Sequence, residues 1–342
     1  MAMHISKVGE NDVAVAHVNT VRTSSLDVMK CLAAFGVVWI HYGSEWLTPI
    51  VRCSAPIFFI ITGYYYPLML NTNNFWRHFR KLFVMALWAS ALYAIWELLQ
   101  HVLHNDLQIW YCDTFSLQHI IEYILSDQDL FGFHLWYFWA VLYDLILLYW
   151  ADKLRISKWL EGITPVLFWV YCMGNFTSNP DSYRNFLFMG LPCMMVGKLV
   201  KEHKDGVFLF FAKGQYICFY TVVSFSLIVA EIFTLHAVCS DNGIRNMYIF
   251  TIPLILPFFY WALCHPSCGA GTIFETIGRK YSAYIYIFHV LAARVLSQII
   301  ARDTSLISML YTPFLVFGLS LFMAWTFEKI KFNVYKLSIN RV

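Results

Sequence analysis

The sequence predicts an all-α integral membrane protein of about ten transmembrane helices with both termini cytoplasmic. Three observations predict it. Only 13% of the 342 residues are charged while 59% are hydrophobic, apolar runs of helix-spanning length recur along the chain, and basic residues gather in alternate loops. A soluble domain carries about a quarter charged residues, and a hydrocarbon core of about 30 Å asks for about 20 mostly apolar residues per helix. The net charge of +3 is not concentrated on any face, so a nucleic-acid partner is excluded.

Read with that length criterion, the spans fall at 27–45, 50–70, 80–100, 131–150, 159–175, 184–200, 216–238, 247–264, 281–301 and 308–327. The fifth and sixth are the most interrupted, by Glu161, Gly162 and Pro165 and by Pro192 with two glycines. With the amino terminus placed inside, one side collects Lys7, Arg22, "RHFRK" at 77–81, "DKLRISK" at 152–158, the lysines from Lys198 to Lys213, Arg279, Lys280 and the tail after Lys329. The opposite side holds only Arg52, Arg184, Arg245 and Arg302, as the positive-inside rule requires. A single membrane domain is expected at 25–330, flanked by a cytoplasmic segment 1–24 without a signal-like apolar region and a cytoplasmic tail 331–342.

The outward loop 101–130 carries Asp106, Asp113, Glu122, Asp127 and Asp129 and no Lys or Arg. Its segment "FSLQHIIEYIL" has helical apolar spacing, which fits a surface helix, packed on the bundle or closing over an external pocket. The cysteines lack CxxC pairs, and Cys264 and Cys268 lack two further ligands at suitable spacing, so no metal is expected.

Ionisable groups inside spans usually face a bundle interior or a water-filled cavity. Here they are Lys30, His41, Glu97, His134, Asp144, Glu231, His236, His289 and Arg294. Eleven residues at about 100° per step return to within about 20° of the starting direction and rise about 16 Å, so Lys30 and His41 share one face of the first span. Asp27 stands one turn before Lys30 and can pair with it. Asp144 and Glu231 could orient a buried cation or histidine, and Tyr284 and Tyr286 read as packing aromatics.

The order of motifs resembles the acyltransferase-3 family of integral-membrane acyltransferases, which modify bacterial envelope polysaccharides, commonly by O-acetylation. The elements that carry the resemblance are Lys30 and His41 with ten residues between them, "FFIITGYY" at 58–65, Arg77 and Arg80 in an Arg-x-x-Arg pattern, "HLWYFWAVL" at 134–142, "RNFLFMGLPCMMVGKLV" at 184–200 and "IGRKYSAYIYIFHV" at 277–290. Lys30 stands where the family usually has Arg, and Thr62 where it usually has Ser.

The resemblance implies acetyl-CoA as cytoplasmic acyl donor and a hydroxyl of an envelope glycan or lipid-linked sugar as acceptor, at the bacterial inner membrane. It makes His41 the catalytic base, or a transient acyl carrier, and gives Lys30 an electrostatic role toward donor or oxyanion. Acyl transfer needs such a base and such an oxyanion partner, and imidazole titrates near neutrality. Arg77 and Arg80 are the expected contacts to the coenzyme phosphates, since guanidinium forks bind phosphate bidentately; they also serve positive-inside topology, the only role given to Lys81. His134, Trp136 and His289 are the expected acceptor contacts, with packing an equal account of Trp136. No metal and no obligate protein partner are implied. Two other readings stand beside this one: a transporter or flippase for an envelope glycan, motivated by buried charges at several depths, and a membrane sensor in which Lys30 and His41 are dispensable.

Overall fold

A computed structural model describes residues 23–127, 129–177, 179–203, 214–240, 242–299 and 306–339, and their regular structure is helical throughout. Among the described residues fourteen α-helices follow in order: α1 (Ser24–Tyr42), α2 (Thr48–Val51), α3 (Ser54–Asn71), α4 (Phe75–His104), α5 (Leu107–Thr114), α6 (Leu117–Ser126), α7 (Trp136–Lys153), α8 (Ser157–Gly174), α9 (Leu191–Glu202), α10 (Gly214–Cys239), α11 (Thr251–Cys264), α12 (Ile273–Lys280), α13 (Ser282–Ile299) and α14 (Leu306–Ile339). In lipid a helix satisfies its own backbone hydrogen bonds, which is why long apolar runs take this form. Among the described residues, six stretches are long and apolar enough to cross a membrane: α1, Thr48–Asn71, α4, Phe133–Lys153, Tyr216–Cys239 and Ile307–Asn333. Helices α8, α9, α11 and α13 occupy the four other expected spans and are shorter or less apolar. The chain is a multi-pass membrane protein.

Several boundaries move. The sixth expected span begins at 184, but regular α-helix starts only at Leu191. Residues Phe186–Gly190 wind as a π-helix first, capped by the Asn185 side chain accepting from the Phe188 N–H. The eighth starts at Thr251, whose hydroxyl accepts from the Tyr248 N–H and so ends the preceding loop. The acidic loop contains α5 and α6. Tyr123 of α6 packs on Trp139 of α7 at 5.4 Å, and Asp129 accepts from the Trp139 indole at 2.9 Å, so this segment is fastened to the bundle. The N-terminal segment through residue 22, most of the stretch from Lys198 to Lys213, Arg302 and the last three residues lie outside the described residues.

Membrane helices associate through close packing at small residues. A Cβ on Gly63 of α3 would lie 2.0 Å from the Met194 carbonyl of α9, and one on Gly197 of α9 would lie 2.0 Å from the Ile60 carbonyl of α3. Each helix therefore presents a notch to the other's backbone. On the other flank Gly278 of α12 lies against α1, where an added Cβ would meet the Asp27 carbonyl at 1.7 Å. Phe83, Val84, Leu98, Trp159 and Phe314 stand exposed, as lipid-facing surface should.

Because backbone cannot retreat as a flexible side chain can, Gly197→Val should destabilise the protein by roughly 1–3 kcal/mol through overpacking. A lowered melting temperature in detergent checks this; an unchanged one would mean that α3 and α9 tolerate separation.

Candidate active site

Helix α13 lies between two cavities. Steps of about 100° place Tyr284 and Phe288 on one of its faces and Tyr286 and His289 on another. Gly278, just before α13, packs at the Lys30 end of α1, so α13 starts at that end and carries His289 toward the His41 end.

On the Tyr286 face three histidines converge. His41, in the last turn of α1, stacks on His289 with ring centroids 5.3 Å apart and planes 27° apart. His134, in the 3-10 turn before α7, meets His289 edge-on at 5.1 Å. His289 and His134 are buried, whereas the His41 ring stays accessible. A carbonyl only accepts, so the His289 contact to the Tyr286 carbonyl (2.6 Å) assigns the proton to Nδ1, and the His134 contact to the Ile287 carbonyl (3.3 Å) assigns it to Nε2. The second ring nitrogen of each has no hydrogen-bond partner among the described residues.

The same turn of α13 is held from α4. The buried Tyr93 hydroxyl donates to the Ile287 carbonyl (2.7 Å) and accepts from the Leu291 N–H (3.2 Å), bridging the two ends of one helical turn around His289. Tyr286 donates to the His134 carbonyl, tying α13 to the start of α7. Beside His41 opens a cavity of about 50 Å3, lined also by Arg52, Phe133, His134, Trp136, Arg184, Asn246 and Tyr286. The Arg184 guanidinium lies 5.4 Å from the Trp136 ring centroid, and Arg52 Nη1 donates to Asn246 Oδ1 at 2.7 Å.

On the Tyr284 face a groove of about 700 Å3 runs between α4, α13 and α14. Arg77, Arg80, Lys81 and Lys331 line it together with Trp76, Val84, Met85, Trp88, Tyr284 and Phe327. Arg77, Arg80, Lys81, Val84 and Trp88 follow one another along α4 at helical spacing. Lys331 donates to the Tyr284 hydroxyl at 3.3 Å and pairs with Glu328 at 3.4 Å. The groove thus combines four cations with two indoles, a combination that suits a ligand with phosphates and flat rings.

Of the residues expected from sequence, His41, His134 and Trp136 line one cavity with His289 packed against both histidines, and Arg77 and Arg80 meet in the groove. Lys30 joins neither. It pairs with Asp27 at 3.2 Å, stands 5.8 Å over the Tyr65 ring and lies about 16 Å along α1 from His41. Asp144 does not orient a cation or histidine: its buried carboxylate has no hydrogen-bond partner among the described residues. Glu231 accepts from the Ile249 N–H at 3.0 Å, ahead of α11. Tyr284 and Tyr286, read as packing aromatics, line the two cavities, and Lys81, assigned only to topology, lines the groove. Arg52 and Arg184 were visible beforehand only as two of the few cations on the sparse side of the charge count. Tyr93 gave no signal, because a tyrosine within an apolar helix is ordinary.

A multi-pass helical protein with a histidine cluster at one cavity and a cationic groove across the same helix has the equipment of a membrane acyltransferase. The family model for acyltransferase-3, described as an acyltransferase domain, matches residues 23–329. The chain belongs to this family. Searches among curated proteins and solved structures found no match.

Asp127 sits behind Arg184, in the loop ahead of α7, fully buried. Burial pushes its carboxyl up to about 8, against the opposing pull of the Arg184 charge. In the unfolded chain it would titrate near the usual value of about 3.9. Between these values the folded state holds a proton that the unfolded state has lost, so this group's contribution to stability falls as pH rises from about 4 to about 8. Asp127→Asn should therefore gain on wild type in melting temperature across that window and level off above it. A pH-independent difference would contradict the burial argument.

Proposed function

We propose that this protein is an O-acetyltransferase of the bacterial inner membrane that moves an acetyl group from cytoplasmic acetyl-CoA to a hydroxyl of an envelope sugar, free in a glycan or lipid-linked. One observation carries the reading: a large cationic groove and an accessible histidine lie on two faces of one helix, α13. In this reading ten spans cross the membrane with both termini inside, the groove opens to the cytoplasm and His41 faces outward.

Arg77 and Arg80 hold the donor's phosphates, with Lys81 and Lys331 adding charge and Trp76 and Trp88 offering stacking faces. Lys30, too far along α1 to reach the histidines, acts electrostatically on the donor side. His41 takes the proton from the acceptor hydroxyl as its oxygen bonds to the thioester carbonyl carbon. The carbonyl π electrons move onto oxygen to form a tetrahedral oxyanion. Its collapse breaks the carbon–sulfur bond, and the imidazolium returns the proton to the departing thiolate. His289, stacked on His41 with its Nδ1 tied to backbone, and His134 fix the ring's surroundings, while Trp136 lines the acceptor cavity and backs the Arg184 guanidinium.

Removing a positioned general base typically lowers turnover by about 10²–10⁴-fold. Transfer of label from acetyl-CoA into membrane glycan should therefore fall by that order in His41→Ala, with the protein still inserted; equal labelling by variant and wild type would end the base assignment. Losing one charge-assisted hydrogen bond is worth about 1.5–3 kcal/mol. Arg80→Ala should accordingly raise the KM for acetyl-CoA by about tenfold or more with little change in the acceptor KM. Equal changes in both would remove the coenzyme contact.

A further inference from the structure

The cavity beside His41 has a charge that the transfer reaction does not require. Arg52 precedes α3 and Arg184 precedes the π-helical turn, so distant parts of the chain bring two guanidiniums to one small opening. Both lie close enough to the His41 ring to act on it electrostatically. Among the described residues, no Asp or Glu lines the cavity. Asp127, close enough to Arg184 to feel its charge, titrates near 8 and is largely uncharged at neutral pH, so it offsets little of the guanidinium charge. Around this opening the surface has the other sign, because the loop 101–130 at the same end of the bundle carries Asp106, Asp113 and Glu122 outside the core and no Lys or Arg.

Both guanidiniums are also held in place. Arg184 is laid over the Trp136 indole, and Arg52 is hydrogen-bonded to Asn246. Fixed planar donors of this kind are suited to a compact oxyanion such as carboxylate or phosphate. Size points the same way. At about 50 Å3 the cavity has room for roughly three to five water molecules. It admits a functional group rather than a sugar ring, while the ring itself would rest outside, beside the exposed Phe133.

We propose that the acceptor sugar carries an anionic group, a uronate carboxylate or a phosphate, that seats between Arg52 and Arg184 and turns the target hydroxyl toward His41. The proposal deepens the reading of this cavity as the acceptor site and rests on that reading. A positive spot within an acidic surround would draw such an acceptor in and repel other anions from the rest of the face. If the arginines instead served only the transition-state oxyanion, they would act on turnover alike for every acceptor and would give no preference in binding.

The test uses the full chain purified in detergent with His41→Ala, so that binding is read without turnover. The probes are trigalacturonate, its carboxyl-reduced neutral counterpart and galactose 1-phosphate, followed by tryptophan fluorescence. At least one anionic probe should bind about tenfold or more tightly than the neutral sugar, as two charge-assisted contacts imply. That ratio should shrink as salt rises from roughly 50 to 500 mM. Which anion shows the preference separates carboxylate from phosphate. Adding Arg184→Gln should bring the ratio close to one, and Arg184→Lys should retain part of it, with melting temperatures showing that both variants are folded. Equal binding of all three probes, or an undiminished ratio in Arg184→Gln, would overturn the proposal. Acetyl transfer by the protein with His41 intact is measured separately: transfer without anion preference removes the anion site and leaves the transferase reading, while anion preference without transfer does the reverse.

Discussion

The contact of Gly278 with the α1 backbone at Asp27 is the constraint on which the functional part of the bundle depends. Lipid offers no hydrophobic gain for bringing two apolar helices together, so their register is set by how closely backbones can approach. A residue with no Cβ allows α12 to touch α1 at its Lys30 end, and α13 then leaves that point alongside α1. Its His289 reaches the height of His41, and the two rings stack. From α4, Tyr93 grips the same turn through both its carbonyl and its amide, so the ring's position is fixed from a third helix.

That arrangement makes α13 a partition. One face closes a groove with four cations and two indoles, and the other supports three histidines and a small opening with two guanidiniums. Near its far end Arg294 pairs with Glu97 of α4 at 2.6 Å, so a charge within the bundle is neutralised where no ligand is in prospect. Charges paired in this way hold helices together. Arg52 and Arg184 instead line a cavity, where a substrate can reach them.

Much was legible in the chain itself. Apolar runs and the asymmetry of Lys and Arg gave the helical membrane class and the approximate place of each helix, because burial in lipid imposes a composition that no fold is needed to read. The family was legible because its motifs are local, such as the spacing of Lys30 and His41 or of Arg77 and Arg80. Helix starts were less legible where π winding or a side-chain cap, as at Asn185 and Thr251, replaces a regular first turn.

Which charged and aromatic residues meet was decided by tertiary structure alone. Sequence placed His41, His134 and His289 on three separate spans but carried no information about their mutual distance. It treated Tyr286 as packing and passed over Tyr93, since a tyrosine's partner across the bundle leaves no trace in its own neighbours. It also set Lys30 and His41 on one face, where their separation of about 16 Å along a rigid helix keeps them in different parts of the site. Local periodicity fixes direction and rise within one helix. Contacts between helices depend on the register of backbones many residues apart, and here glycines at a few crossings decide it.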